Sequence, residues 1–262
     1  MSDTQHLLGR FLEFSVKTPD ILESLNFYKQ LGFHELETGE IWQHKYAVVS
    51  DGEFNIGLHE GKLDQSALTF VHQDLAHQAR SMLTRDFEFE YLRIDEDVFN
   101  ELGFVDRDGN LTNLIEARSF SPADIDSAAS LCGDWFEISL PVKDAVRASL
   151  FWAPLAPELL RIREEPTTHM RFNAAGLSLG LSESIALEGL SPCFRCPDKE
   201  AIWTAIARYG FSFKEFPGYE GAFMALQAPE GTTLYLFHED FLGDGYEVAE
   251  ATQESVELSD EE

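Results

Sequence analysis

From Phe11 to Lys17 the chain alternates, with Leu12, Phe14 and Val16 on one face and Glu13, Ser15 and Lys17 on the other. That period of two marks a strand packed on one side. Thr18-Pro19-Asp20 then offers an N-cap, a proline for the first helical turn and an early acid. Ile21, Leu22, Leu25, Tyr28 and Leu31 recur at helical spacing, and Gly32 is the expected stop. Strand-like segments follow over residues 34–36, 42–50 and 53–59. One unit therefore reads strand, helix, three strands.

The unit recurs. Glu13 and Glu137 stand 124 residues apart, as do Ser15 and Ser139, and Asp20 and Asp144. Gly57-Leu58-His59-Glu60 matches Gly180-Leu181-Ser182-Glu183, and Phe70 and Asp74 match Phe194 and Asp198. Phe87-Glu88-Phe89 matches Phe211-Ser212-Phe213, and Asp108-Gly109-Asn110-Leu111 matches Glu230-Gly231-Thr232-Thr233. Each copy halves again, Glu13 to Ala67 spanning 54 residues and Gly57 to Asn113 spanning 56. The expectation is an α+β chain of four βαβββ modules paired into two cup-shaped domains. Its divisions are an extension over residues 1–9, a first domain over 10–120, a linker over 121–133, a second domain over 134–242 and an acidic tail over 243–262, expected to be disordered.

A duplicated pair of βαβββ modules resembles the vicinal oxygen chelate superfamily, which includes glyoxalase I, bleomycin-resistance proteins, fosfomycin-resistance enzymes and extradiol dioxygenases. The resemblance is carried by the opening strand with Asp20 seven residues beyond Glu13, by Ser24-Leu25-Asn26-Phe27-Tyr28 in a helix ending Leu31-Gly32-Phe33, and by the Asp108-Gly109-Asn110-Leu111 turn. It covers residues 10–242 and implies fold more firmly than function. In metal-using members, His, Glu or Gln ligands come from the inward positions of the first and last strand of each module. The resemblance maps these onto Glu13, Gly57, Ala67 and Asn113, and onto Glu137, Gly180, Ser191 and Tyr235. One carboxylate per cup is short of a ligand set, so no cofactor is expected and a divalent metal is disfavoured.

Charge narrows the partners. The chain carries 47 acids against 19 bases, a formal net charge of -28. Lacking the basic clusters that bind phosphate backbones or anionic lipid, it is expected to bind neither nucleic acid nor membrane. Three cysteines make no disulfide framework and suit a cytoplasmic protein. Cys193-Phe194-Arg195-Cys196 lies on an expected strand, where residues three apart face opposite sides, and reads as structural.

Alternation lines the first cup with Glu13, Ser15, Asn55, His59, Thr69 and Asn113, with Trp42 and Tyr46 on its wall. Glu13 and His59 are candidates for general acid and base; alternatively Glu13 bonds Ser15 or Asn113 in a filled cup. The second cup would present Glu137, Ser139, Ser178, Ser182, Ser191, Cys193, Arg195, Thr233 and Tyr235, with Arg195 placed to neutralise Glu137. Tyr235 would fill space, leaving the first cup the more open, and the remaining histidines, His44 and His169 among them, read as scattered.

Three functions stay open at this level. The first is a metal-free protein similar to bleomycin-resistance proteins, binding a small cationic or aromatic molecule in the first cup. The second is a glyoxalase-like lyase or dioxygenase-type enzyme using Glu13 and His59. The third is a non-catalytic interaction scaffold. With both halves on one chain, a monomer or weak homodimer is expected.

Overall fold

The computed structural model describes residues 7–38, 44–61, 63–95, 99–117, 130–164, 167–196, 198–217, 219 and 222–238. Trp42, most of the expected linker and the acidic tail lie outside them. The first module runs β1 (Arg10–Thr18), α1 (Ile21–Gln30), β2 (His34–Leu36), β3 (Tyr46–Ser50) and β4 (Asn55–Glu60). The second runs β5 (Ala67–His72), α2 (Leu75–Leu83), β6 (Tyr91–Arg93), β7 (Glu101–Val105) and β8 (Leu111–Glu116). The second copy repeats the order: β9 (Asp134–Pro141), α3 (Ala145–Trp152), β10 (Glu158–Arg163), β11 (His169–Ala174) and β12 (Leu177–Ser182), then β13 (Ser191–Arg195), α4 (Lys199–Tyr209), β14 (Ser212–Glu215), β15 (Phe223–Gln227) and β16 (Thr233–Phe237).

Each pair of modules forms one eight-stranded sheet, ordered β2-β3-β4-β1-β5-β8-β7-β6 and β10-β11-β12-β9-β13-β16-β15-β14. The opening strands of paired modules meet antiparallel at the centre, Ser15 facing Ala67 and Ser139 facing Ser191. Each also runs parallel to the last strand of its own module, Ser15 beside Gly57 and Ser139 beside Gly180. The polar faces of β1 and β9 thus end in the hollow of a curved sheet, the expected cup.

Every helix among the described residues is started by an aspartate. Asp20, Asp74, Asp144 and Asp198 accept from backbone N–H groups two or three residues on, satisfying donors that the first turn leaves unpaired. The first helix therefore starts two residues later than the Thr18-Pro19-Asp20 reading predicts, with Asp20 rather than Thr18 as its cap. Thr18 still belongs to the strand, where its hydroxyl bonds Ser24 at 2.9 Å. Gly32, at φ +91°, ends the turn in the left-handed region that a glycine adopts without strain.

The apolar faces of both sheets and all four helices feed one continuous core. Across the domain boundary Phe54 stacks on Trp135 at 5.0 Å, Phe27 meets Phe211 edge-on at 5.0 Å, and Phe87 meets Phe151 at 5.6 Å. Glu230 accepts from Ser24 Oγ at 2.8 Å and Tyr28 Oη at 2.6 Å. Leu7 and Leu8, from the stretch read as an extension, are buried in this core. Shared apolar packing and buried bonds fix the two cups relative to each other. Among the described residues no helix is long and apolar enough to cross a membrane.

Candidate functional site

Both cups are built round the same motif. In the first, Glu13 is buried and takes three donors: Ser15 Oγ at 2.7 Å, His59 Nε2 at 2.8 Å and the Tyr46 hydroxyl. Ser15 Oγ lies 2.7 Å from Thr69 Oγ1, and His59 Nδ1 lies 2.9 Å from His44 Nε2. A proton on His59 Nε2 donated to Glu13 leaves Nδ1 facing His44 Nε2. Gly57 makes this network fit, since a Cβ there would lie 2.1 Å from Glu13 Oε1. The residue that replaces a family ligand is thus the residue that makes room for the carboxylate.

In the second cup Glu137 is buried, accepts from Ser139 Oγ and lies 3.1 Å from His169 Nε2. Gly180 faces it as Gly57 faces Glu13, at 2.6 Å for a notional Cβ. Burial opposes ionisation of Glu137, but the charge of His169, hydrogen bonds from His169 and Ser139, and the charge of Arg171 outweigh it and hold the carboxyl below its ordinary value. Arg195, expected as the neutralising cation, sits on β13 beyond the bulge between Cys193 and Phe194, paired in register with Asp134. His169 takes that part, and reading it as a scattered histidine is corrected.

A depressed carboxylate pKa stabilises the fold in full above its unfolded value, about 4.3 for glutamate, and that contribution fades as pH falls through the folded value. Urea unfolding of wild type should therefore lose stability more steeply below about pH 4 than unfolding of Glu137→Gln. Parallel acid profiles would show that the carboxylate is not so held.

The cups differ in what fills them. A cavity of about 530 Å³ opens in the second, bounded by Glu137, Ser139, His169 and Ser182 on one side and Phe216, Phe223 and Tyr235 on another. Strand register gives the reason. His59 faces Tyr46 on the β3–β4 pair, where Ser182 faces His169 on the β11–β12 pair. Tyr91 faces Gly103 on β6–β7, where Lys214 faces Ala225 on β14–β15. Tyr46, His59 and Tyr91 of the first cup thus become His169, Ser182 and Lys214. The expectation that the first cup is the more open is corrected: Tyr46, His59 and Tyr91 take up space there that the second cup leaves as cavity.

The other candidates fall as follows. Tyr91 Oη donates to Asn113 Oδ1 at 2.8 Å, closing the first cup's far side, and Asn55 Nδ2 donates to the Leu12 carbonyl at 3.2 Å, tying strands together. Tyr235 borders the second cavity rather than blocking it, its hydroxyl donating to the Ala186 carbonyl. Burial first, then the Glu188 and Cys193 charges, push that hydroxyl up to about 12. Ser191 bonds the Gly189 carbonyl at 2.8 Å, and Cys193 Sγ lies 3.5 Å from Ser139 Oγ. Cys196 points elsewhere, 3.8 Å from the Leu131 carbonyl.

No family model matches the sequence, and no curated protein does. Solved structures do. The chain is similar to 2,2',3-trihydroxybiphenyl 1,2-dioxygenase from dibenzofuran-degrading Sphingomonas wittichii, with TM-score 0.58, 15% identity, and 87% of this chain and 90% of that one covered. It is similar to a catechol 2,3-dioxygenase at TM-score 0.54 and 14% identity, covering 87% of each chain. It is also similar to homoprotocatechuate 2,3-dioxygenase from Brevibacterium fuscum at TM-score 0.55 and 16% identity, covering 87% of this chain and 70% of that one. The chain has the two-domain, four-module fold of the vicinal oxygen chelate superfamily, in the arrangement that extradiol dioxygenases share.

These matches correct the expectation about cofactors. Fe²⁺-dependent extradiol dioxygenases share the fold, so a metal cofactor is plausible on this scaffold. The donors fit it only in part. Glu137 with His169, and Glu13 with His59, supply two donors per cup, against the three protein ligands usual for a catalytic ion. Among the described residues no group of three His, Cys, Asp or Glu side chains is placed to hold one.

Proposed function

We propose that this protein is an enzyme that takes a small aromatic, hydroxylated molecule into the cavity of the second cup, with Glu137 and His169 as its acid–base pair. One observation carries the reading: a buried carboxylate held ionised against an imidazole, at the wall of a cavity that Phe136, Phe216, Phe223, Tyr235 and Phe237 also line. Phe136, Phe216, Phe223 and Phe237 offer faces and edges on which a planar ring packs. The volume is that of a small-molecule site.

In the form in which His169 carries a proton only at Nε2, donated to Glu137, its Nδ1 is the basic nitrogen. It takes a proton from a ligand hydroxyl, and the ionised carboxylate steadies the imidazolium that results. The likeness to ring-cleaving dioxygenases supports an aromatic hydroxylated substrate over the bleomycin-resistance reading, in which a cationic drug would meet an acidic cup. The cavity wall carries Arg163 and Lys214 beside Glu137, so the overall charge of -28 is not the charge of the site.

Nitrocatechol tests this, because its visible absorbance reports its ionisation. Mixed with wild-type protein one pH unit below its own pKa, it should show the spectrum of the phenolate; Glu137→Gln and His169→Gln should lower that signal, at equal occupancy, toward that of free nitrocatechol at the same pH, about a tenth of full ionisation. A bound but un-ionised probe, or full ionisation by both variants, would overturn the assignment.

A further inference from the structure

The cavity wall holds a feature that the acid–base pair does not use. Arg163, the last residue of β10, borders the cavity, and its Nε is buried without a hydrogen-bond partner. A buried guanidinium donor without an acceptor is costly, and a bound anion that draws the Arg163 side chain toward it would offset that cost. β10–β11 register places Arg163 directly opposite His169, on the strand next to the acid–base pair.

A second cation borders the same space. Lys214 stands at the position that Tyr91 holds in the filled cup, its Nζ 5.1 Å from the Phe216 ring centroid and 2.9 Å from Glu188 Oε1. Both its side chain and that of Glu188 are more than half exposed, so the pair is weak and open to exchange with a ligand. In a protein of net charge -28, two cations on one cavity wall need a reason. Long-range repulsion from the rest of the surface would slow an anion's approach, and a local basic wall answers it.

We infer that the substrate of the second cup is an aromatic acid: a ring bearing a carboxylate that Arg163 binds, with Lys214 assisting. A guanidinium presents a planar fork of donors that matches a carboxylate in a way that an ammonium cannot, which assigns the anion chiefly to Arg163. The inference rests on the proposed reading of the cavity as an aromatic site and adds the charge of what it takes.

The experiment compares naphthoate with its neutral methyl ester, followed by isothermal titration on the full chain. Wild type is expected to bind the acid at least tenfold more tightly than the ester. Arg163→Gln should abolish that preference by weakening the acid about tenfold and leaving the ester unchanged; Lys214→Gln should weaken the acid by a smaller factor of about three. Retention of ester binding also shows that each variant is folded at the site. Equal binding of acid and ester by wild type, or an undiminished preference in Arg163→Gln, would overturn the anion inference while leaving the aromatic site standing. Binding of neither compound would overturn both.

Discussion

Replacing Gly57 by alanine is expected to destabilise the protein by about 3 kcal/mol, the upper end of what overpacking a buried site costs. The added methyl would stand 2.1 Å from Glu13 Oε1, 2.2 Å from Cδ and 2.4 Å from Oε2, so the whole carboxylate is in its way. Glu13 has nowhere to go, because Ser15, Tyr46 and His59 hold it in a buried, filled cup. Moving it would strand donors that each cost about 1–3 kcal/mol when buried without a partner.

Gly180→Ala makes the same change in the second copy with a different outcome. There the methyl meets Glu137 Oε1 at 2.6 Å and His169 Cε1 at 2.8 Å, and both side chains border open cavity into which they can shift. Its cost is expected to be about 1 kcal/mol. Urea unfolding of the two variants measures the difference. Equal losses would mean that the two cups are filled alike and that the second offers no room for a ligand.

The second large effect is on binding. Ser182→His with Lys214→Tyr installs in the second cup the side-chain types that close the first, at the same register positions. Nitrocatechol affinity is expected to fall about 100-fold, the loss of about 2.7 kcal/mol that follows when the ligand's space is taken. Stability should change by no more than about 1–2 kcal/mol, since Lys214 gives up an exposed ion pair and a ring contact and Ser182 one long hydrogen bond from the Ser184 N–H. Fluorescence titration reads the affinity, and an unchanged value would show that nitrocatechol binds elsewhere.

The repeat made the fold legible. Asp20, Asp74, Asp144 and Asp198 recur at matching places because each module needs a cap where its first strand turns into its helix. Alternation places Glu13, Ser15 and His59 on one face, and the structure joins them through hydrogen bonds. His169 escapes that reading because it lies on β11, one strand away from the mapped ligand positions, and reaches Glu137 across Gly180.

A signal was nevertheless present in the sequence. Tyr46 and His169, His59 and Ser182, and Tyr91 and Lys214 are each 123 residues apart. Comparing the copies position by position for side-chain size, rather than for ligand type, shows which cup is emptied. The net charge could not reveal the site's polarity, because Arg163 and Lys214 are two bases among 66 charged residues. Only the sheet brings them to one wall.

Whether the second cup, rather than the first, is where this protein meets its ligand is tested most directly by a crystal structure of the protein soaked in nitrocatechol. The ring is expected in the second cavity against Phe216 and Phe223, with a hydroxyl oxygen within hydrogen-bond distance of the His169–Glu137 pair. Nitrocatechol displacing Tyr46 and His59 in the first cup, with the second left empty, would contradict the proposed site.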